Sequence, residues 1–197
     1  VFMAQTHVCP VWMGYILSSP LRKLIEKPSK RLSPYLEEGM TVIDAGCAMG
    51  FYSLPMARMV GASGRVICVD LQEKMVRKLF KRAKKKDLHD RIEARVCTSA
   101  DLNLGDLKSV ADFVLAASVV HEVPDPGSFF SQLFSTMKDG ARLMVLEPSG
   151  HVSRASFEDT TARAVEKGSR LVQDAGSGRR HFALLEKHSG SAENERS

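Results

Sequence analysis

Two acidic residues at the ends of apolar runs are the first candidates for chemistry in this sequence. Asp44 follows Val42-Ile43 and leads into the small-residue turn Ala45–Gly50, and Asp70 ends the run Val66–Val69 about twenty residues later. A small-residue turn between a strand and a helix brings backbone and its N–H groups close to a polar ligand. An acid at the end of the next strand is placed to accept hydrogen bonds from ribose hydroxyls. The pattern predicts the nucleoside-binding half of a doubly wound α/β sheet.

Further candidates follow the fourth and fifth predicted strands, as His121-Glu122 and as Glu147 and His151. Open α/β sheets bind ligands beyond the carboxyl ends of their strands. His121 is the leading candidate for a base or orienting group because its pKa can lie near neutrality; the alternative is a histidine that shapes its loop. Glu122 either holds His121 or locks the loop, and Glu147 is predicted to be a buried acid facing the pocket. His151 either lines the pocket or precedes a helix cap.

Alternating elements are predicted to position these residues. Apolar periodicity and turn residues predict helices and strands in this order: strand Thr41–Ala45, helix Phe51–Met59, strand Arg65–Asp70, helix Gln72–Lys86, strand Ile92–Cys97, strand Asp112–Ala117, helix Pro126–Met137, strand Arg142–Glu147, helix Ser153–Lys167, and strands Arg170–Asp174 and Arg180–Glu186. The alternation implies a mostly parallel sheet with right-handed crossovers. A short Gly-rich connection joins the last two strands, so the final strand is expected to run antiparallel.

Length and composition favour one soluble domain. The chain has 197 residues, of which 44% are hydrophobic and 26% charged, which is ordinary for a globular protein. We expect residues 39–188 to form the α/β core and residues 189–197 to be a disordered tail. Residues 1–38, which include the only tryptophan, are expected to cover the core or its pocket.

Charge and cysteine usage narrow the class of partner. The net charge is +5, and Lys81–Lys86 form a basic run. We interpret this run as a solvated helix end rather than a nucleic-acid surface, because no aromatic residues interleave with it. The cysteines form no CxxC pair, so neither a disulfide scaffold nor a metal site is predicted. Cys68 and Cys97 are expected to be core residues, and Cys9 with Cys47 offers only a weak hint of a metalloid acceptor.

Without a membrane-length apolar run or an evident signal peptide, cytoplasmic location is expected.

From about Gly39 to Glu186 the chain resembles the class I S-adenosylmethionine-dependent methyltransferases. The glycine-rich motif, Asp70 and the order of elements carry the resemblance, and Asp125-Pro126 with the turn Lys138–Gly140 is most similar to the small-molecule branch, which includes quinone-biosynthesis C-methyltransferases. The resemblance implies a seven-stranded sheet with an antiparallel last strand, S-adenosylmethionine as cofactor, and in-line methyl transfer to a small molecule.

The resemblance also implies the site residues. The cofactor-binding set is Asp44, Gly46, Cys47, Ala48, Gly50, Phe51, Asp70, Leu71, Met75, Ser99, Ala100, Asp101, Ala117 and Ser118. The expected acceptor pocket contains Trp12, Met13, Tyr15, His121, Glu122 and His151, with His121 and Glu147 as the catalytic candidates and no metal.

Three other functions are weighed against this one. A nicotinamide dehydrogenase would require GxGxxG, where this chain has Gly46, Ala48 and Phe51, and it fits less well. A non-catalytic cofactor-binding module is suggested only by Ala48, which replaces the middle glycine of the family pattern. An RNA methyltransferase is suggested only by the basic run, and the motifs of DNA-base methyltransferases are missing after the fourth strand.

Overall fold

The computed structural model describes residues 26–177 and 180–188. These residues form seven strands: β1 Thr41–Ala45, β2 Arg65–Asp70, β3 Ile92–Val96, β4 Ala111–Ala117, β5 Met137–Pro148, β6 Ser169–Ser177 and β7 Arg180–Lys187. They also form five α-helices: α1 Pro28–Leu32, α2 Ser53–Met59, α3 Glu73–Lys84, α4 Pro126–Thr136 and α5 Arg154–Glu166. Two single 3₁₀ turns lie at His89–Arg91 and Val120–Glu122.

The strands make one sheet in the order β3-β2-β1-β4-β5-β7-β6. Strands β1 to β5 pair in parallel, and β7 runs antiparallel to both β5 and β6. The predicted fold class, a doubly wound and mostly parallel seven-stranded sheet with an antiparallel last strand, is therefore confirmed. The chain builds outward from β1 to β3 and then returns to place β4 on the other side of β1. In open sheets of this kind, ligands bind where the strand order reverses, which is here at the carboxyl ends of β1 and β4.

Helices bury both faces of the sheet, which explains why its central strands are apolar nearly throughout. On one face, Ile43 and Val114 pack with the aromatic residues Phe130 of α4 and Phe157 of α5. On the other face, the strands pack against Leu54 and Met56 of α2 and Leu79 of α3. A sheet fixed on both faces gives its carboxyl edge a defined geometry.

Several predicted boundaries differ from the structure. Helix α2 begins at Ser53 rather than at Phe51, and β5 begins at Met137, a residue predicted to end the preceding helix. The predicted turn at 138–140 lies inside β5, because Met137 pairs with Ala111 before the register shifts. Helix α5 takes Ser153 as its cap, through a hydrogen bond from the Ser156 N–H.

The spacing of Met75, Val76, Leu79 and Phe80 predicts that one apolar face of α3 is buried, and this prediction is correct only in part. Met75, Val76 and Leu79 are buried, whereas Phe80 is 37% exposed. Successive helical residues are rotated by about 100°, so Phe80 is turned to the edge of the buried face. There it lies beneath Lys84, whose Nζ is 5.1 Å from the ring centroid.

Some predictions fall outside the described residues. These are the cover segment as far as residue 25, with Cys9, Trp12, Met13 and Tyr15, and the tail from residue 189. Of the other cysteines, Cys47 and Cys68 are buried and Cys97 is partly buried against the core. Within the ranges that the model describes, no helix is long and apolar enough to span a membrane.

Candidate active site

The turn after β1 is held against the end of β2 by its own N–H groups. Gly46 and Cys47 both donate to the Val69 carbonyl oxygen, at 2.9 and 3.0 Å. The N–H of Ala48 donates to Oδ2 of Asp70 at 2.8 Å. The sequence predicts that these N–H groups face a ligand, but the structure uses these three inside the fold, because the end of β2 offers acceptors within reach. The turn is therefore shaped in advance and offers a ligand close backbone approach.

Asp70 is oriented by two backbone donors at the carboxyl end of β2. Its Oδ1 accepts from the N–H of Gln72 at 2.8 Å, while Oδ2 accepts from Ala48. Burial raises the pKa of Asp70, and these two hydrogen bonds oppose that shift. Each carboxylate oxygen has more than one lone pair, so this partly exposed carboxylate can also accept hydrogen bonds from ribose hydroxyls.

The turns after β1 and β4 touch at Gly46. This glycine has a φ of 78°, and a Cβ built on it would lie 2.7 Å from the Cβ of Val119. Ala48, in the same turn, carries a side chain at a φ of 45°, so a left-handed backbone alone does not exclude alanine here. The close approach of Val119 is what requires glycine at position 46.

Asp44 lies beneath the first turn, 2% exposed. The hydroxyl of Ser53, the first residue of α2, donates to its Oδ2 at 2.5 Å. Burial raises the pKa of Asp44 to about 7, with a smaller contribution from the nearby charge of Asp70, and the bond from Ser53 opposes the shift. Asp44 therefore joins the end of β1 to the start of α2 and carries a proton for part of the time at neutral pH.

Glu147 and His121 form a hydrogen-bonded pair at the carboxyl ends of β4 and β5. Nδ1 of His121 lies 2.5 Å from Oε2 of Glu147. The other carboxylate oxygen, Oε1, accepts from the N–H groups of Val119 at 3.3 Å and Val120 at 2.8 Å. Glu147 is 1% exposed, so the carboxylate is buried as predicted, with its hydrogen bonds directed to the loop that carries His121.

The surroundings of His121 favour a proton on its ring. The hydrogen bond to Glu147 raises its pKa, burial opposes that shift, and the charges of Glu147 and Glu122 add to it. Glu122 lies 3.9 Å from Nε2, so it is Glu147 rather than Glu122 that fixes the ring. With Nδ1 donating to Glu147, Nε2 is the nitrogen that can accept a proton from a bound molecule. On the neighbouring strand β7, His181 is the residue that pairs with Glu147.

The other predicted site residues have different surroundings. The side chains of Cys47, Phe51 and Met75 are buried in the core. Cys47 and Phe51 therefore offer only their backbone to a ligand at the turn after β1. Leu71, which follows Asp70, is 41% exposed. The loop at 99–101 is exposed after β3 and borders a cavity of about 170 Å³ that reaches the start of α4.

The remaining candidates lie near the ends of β4 and β5. Ala117 ends β4 and Ser118 follows it with a φ of 57°. His151 is exposed in the turn before α5, and its backbone N–H donates to the Pro148 carbonyl.

Sequence reasoning missed four residues that shape this edge. The Arg82 guanidinium donates to the Met49 carbonyl of the first turn. Arg180 donates to Ser118 and to Glu26, and Tyr52 also donates to Glu26. The partners of Arg180 are 62 and 154 positions away in the chain, so no local pattern could have identified it.

The chain is similar to known methyltransferases over most of its length. A family model described as a methyltransferase domain matches residues 36–189. Among solved structures, an S-adenosylmethionine-dependent methyltransferase from Aquifex aeolicus has a TM-score of 0.81 and 25% identity, covering 91% of this chain and 98% of that chain.

Curated relatives differ in the acceptor that their names give. The ubiquinone biosynthesis O-methyltransferase of Caulobacter vibrioides is 33% identical over 143 residues, 72% of this chain and 53% of that protein. The ribosomal RNA large subunit methyltransferase E of Nitrobacter winogradskyi is 32% identical over 169 residues, 73% of each chain. Four 23S rRNA (uracil-C5)-methyltransferases of Acinetobacter are 43–44% identical over 53 to 55 residues, and the matched part spans only 11–12% of their length.

The contact between the two turns predicts the effect of Gly46→Ala. Overpacking against Val119 should lower the free energy of unfolding by roughly 1–3 kcal/mol, measured by urea denaturation, and should weaken binding of S-adenosylhomocysteine in calorimetry. Gly105→Ala is the matched control, because a Cβ there meets nothing within 4 Å. Equal changes in the free energy of unfolding and in affinity for the two variants would contradict a role for the contact between Gly46 and Val119.

The proton on Asp44 predicts a pH dependence of stability. Because the folded pKa of about 7 exceeds the ordinary value of 3.8, the folded state binds the proton more tightly. The contribution of Asp44 is therefore complete below pH 3.8 and is lost as the pH rises through about 7, at about 1.4 kcal/mol for each pKa unit. Asp44→Asn should flatten this part of the stability profile, measured by denaturation between pH 4 and 8. An unchanged slope would show that Asp44 is ionised throughout.

Proposed function

Because the chain belongs to the S-adenosylmethionine-dependent methyltransferases, we propose that it methylates a small-molecule acceptor and that His121 takes up the proton the acceptor loses. The observation that carries the proposal is the 2.5 Å contact between Nδ1 of His121 and Oε2 of Glu147. A carboxylate that fixes one imidazole nitrogen sets the tautomer and leaves the other nitrogen to act as base. This pair lies at the edge of the sheet where such folds bind their ligands.

The turns after β1 and β2 fit the cofactor. The Asp70 carboxylate, held by two backbone N–H groups, is suited to ribose hydroxyls, and the small residues Gly46 and Ala48 let backbone lie against a nucleoside. When bound, S-adenosylmethionine supplies a methyl group on a sulfonium, which makes the methyl electrophilic. Ala48 fits this turn, because its N–H bonds to Asp70 while its backbone takes the left-handed conformation.

His121 is useful only for an acceptor whose reacting atom carries a proton. A hydroxyl such as a phenol meets this condition, and the O-methyltransferase named among the relatives supports the same class. Nε2 of His121 accepts the proton, and the buried carboxylate of Glu147 stabilises the imidazolium that forms. General-base catalysis of this kind contributes about 10²- to 10⁴-fold, in addition to what orientation of the acceptor provides.

The position of the basic run favours a small acceptor over RNA. Helix α3 packs on β2 and β3, whereas His121 follows β4 and contacts Glu147 of β5, so the exposed Lys84, Lys85 and Lys86 lie over a different part of the sheet from the proposed base. Their charge therefore does not border the proposed acceptor position. The ribosomal RNA methyltransferases among the relatives support the competing acceptor, and the two acceptor classes can be tested directly against each other.

Substitution of His121 or Glu147 is expected to remove general-base catalysis while leaving the cofactor site intact. His121→Ala should lower kcat with a phenolic acceptor by about 10²- to 10⁴-fold. Glu147→Gln should lower it as well, because an amide that donates to Nδ1 leaves the proton on Nε2. Wild-type kcat should rise as the pH passes the raised pKa of His121, since only the neutral ring accepts a proton. The measurement is formation of S-adenosylhomocysteine across a panel of dihydroxybenzenes.

His89→Ala is the control for these variants, because this histidine lies in the 3₁₀ turn before β3, outside the pair and outside the expected acceptor pocket. It should leave turnover intact, and all three variants should bind S-adenosylhomocysteine as wild type does. Full turnover in His121→Ala would remove His121 from the mechanism.

Neutralising the basic run separates the two acceptor classes. The triple variant Lys84→Ala, Lys85→Ala, Lys86→Ala should methylate the phenolic acceptor at the wild-type rate. An RNA acceptor predicts the reverse: methylation of a 23S rRNA transcript that falls steeply with salt and is lost in the triple variant. Transfer to RNA together with no transfer to any small acceptor would overturn the proposal.

A further inference from the structure

The turn after β4, which carries His121, is held from two sides. On one side Glu147 accepts from Val119, Val120 and His121. On the other side, Nη1 of Arg180 donates to the hydroxyl of Ser118 at 2.9 Å. Ser118 takes a left-handed backbone, which is unfavourable for a side chain with a Cβ. A conformation of this kind persists only where its surroundings fix it.

The charge of Arg180 is balanced inside the same cluster. Its Nη2 donates to Oε1 of Glu26 at 2.7 Å, and both side chains are 13% exposed. The second oxygen of Glu26 accepts from the Tyr52 hydroxyl at 2.8 Å. A charge with so little access to water is costly unless it is paired, so each member requires the other.

The four side chains of this cluster, Glu26, Tyr52, Ser118 and Arg180, come from four separate parts of the chain. Tyr52 immediately precedes α2 and follows the glycine-rich turn, with its ring edge-on to Phe51 at a centroid distance of 5.0 Å. Arg180 is the first residue of β7 and pairs with Pro148, next to Glu147. The cluster therefore links the segment that includes the cofactor turn to the turn that carries the proposed base.

We propose that Arg180 is a positioning residue: by bridging Ser118 to Glu26 and Tyr52, it fixes the turn after β4 relative to the turn after β1. The inference rests on the proposed function, because those two turns hold the base and the cofactor. Both terminal nitrogens of Arg180 are engaged within the protein, so the residue acts through Ser118 rather than by contact with the acceptor. The guanidinium of Arg180 is essential for this bridge because it carries two donor nitrogens in a fixed fork. The single ammonium of a lysine cannot reach both Ser118 and Glu26 with the same geometry.

Arg180→Lys tests the bridge while keeping the charge that Glu26 requires. The melting temperature should stay near that of wild type, whereas the affinity for S-adenosylhomocysteine, measured by calorimetry, should fall by about tenfold. Turnover with the phenolic acceptor should fall further, towards the roughly 10²-fold loss that a misplacement of about 1 Å causes. Arg170→Lys is the matched control: it lies on the same hairpin and pairs with Glu186 at the surface, and it should change neither quantity.

A double-mutant cycle with Ser118→Ala identifies the path. If Arg180 acts through Ser118, the double variant should bind no more weakly than the weaker single variant, because both changes break the same bridge. Losses that simply multiply would overturn the inference, and so would wild-type affinity and turnover in Arg180→Lys. If Arg180→Lys lowered the melting temperature alone, the residue would be structural and the inference would also fail. Failure of the wild-type protein to bind S-adenosylhomocysteine would instead overturn the proposed function.

Discussion

The buried carboxylate of Glu147 is the constraint on which the arrangement of the site depends. An acid 1% exposed requires hydrogen bonds in place of water. Among the residues that the structure describes, its hydrogen-bond donors come from a single stretch of three residues, Val119 to His121. The same carboxylate therefore holds the turn after β4 through Oε1 and orients the imidazole through Oε2, so Glu147 sets both the shape of the loop and the orientation of the His121 ring.

The order of strands brings this carboxylate close to the turn after β1. Strand β4 lies between β1 and β5, and parallel strands end at a common edge of the sheet. As a result the turn after β4 can contact the turn after β1 through Val119 and Gly46, while its other side contacts Glu147. Each turn directly follows a central strand that is buried on both faces.

Much of the fold could be predicted from the sequence, because its strands are apolar runs bounded by turn residues. The bounds of β1 and β2 agree with prediction, and so does the antiparallel direction of β7. The start of β5 was wrong, since Lys138–Gly140 has the composition of a turn and only pairing with β4 makes the region extended. Tertiary pairing overrides local preference in such cases.

The site was harder to predict than the fold. Local patterns identified Asp70, His121 and Glu147 as separate residues, yet the contact between the last two spans 26 positions. The internal use of the N–H groups of the first turn also depends on the neighbouring strand, which no local pattern contains. Contacts between distant segments are set by packing, so a single sequence indicates the residue types available at a site but not their partners.

The position of β7 in the sheet affects how the chain folds during synthesis. This last strand lies inside the sheet, between β5 and β6, and contributes Arg180 to the site edge. During synthesis the residues before it emerge first, and until β7 inserts, the long apolar strand β5 has an unpaired edge of the kind that associates with other chains. The docking of the β6–β7 hairpin thus both brings Arg180 to the edge that carries His121 and covers the open edge of β5.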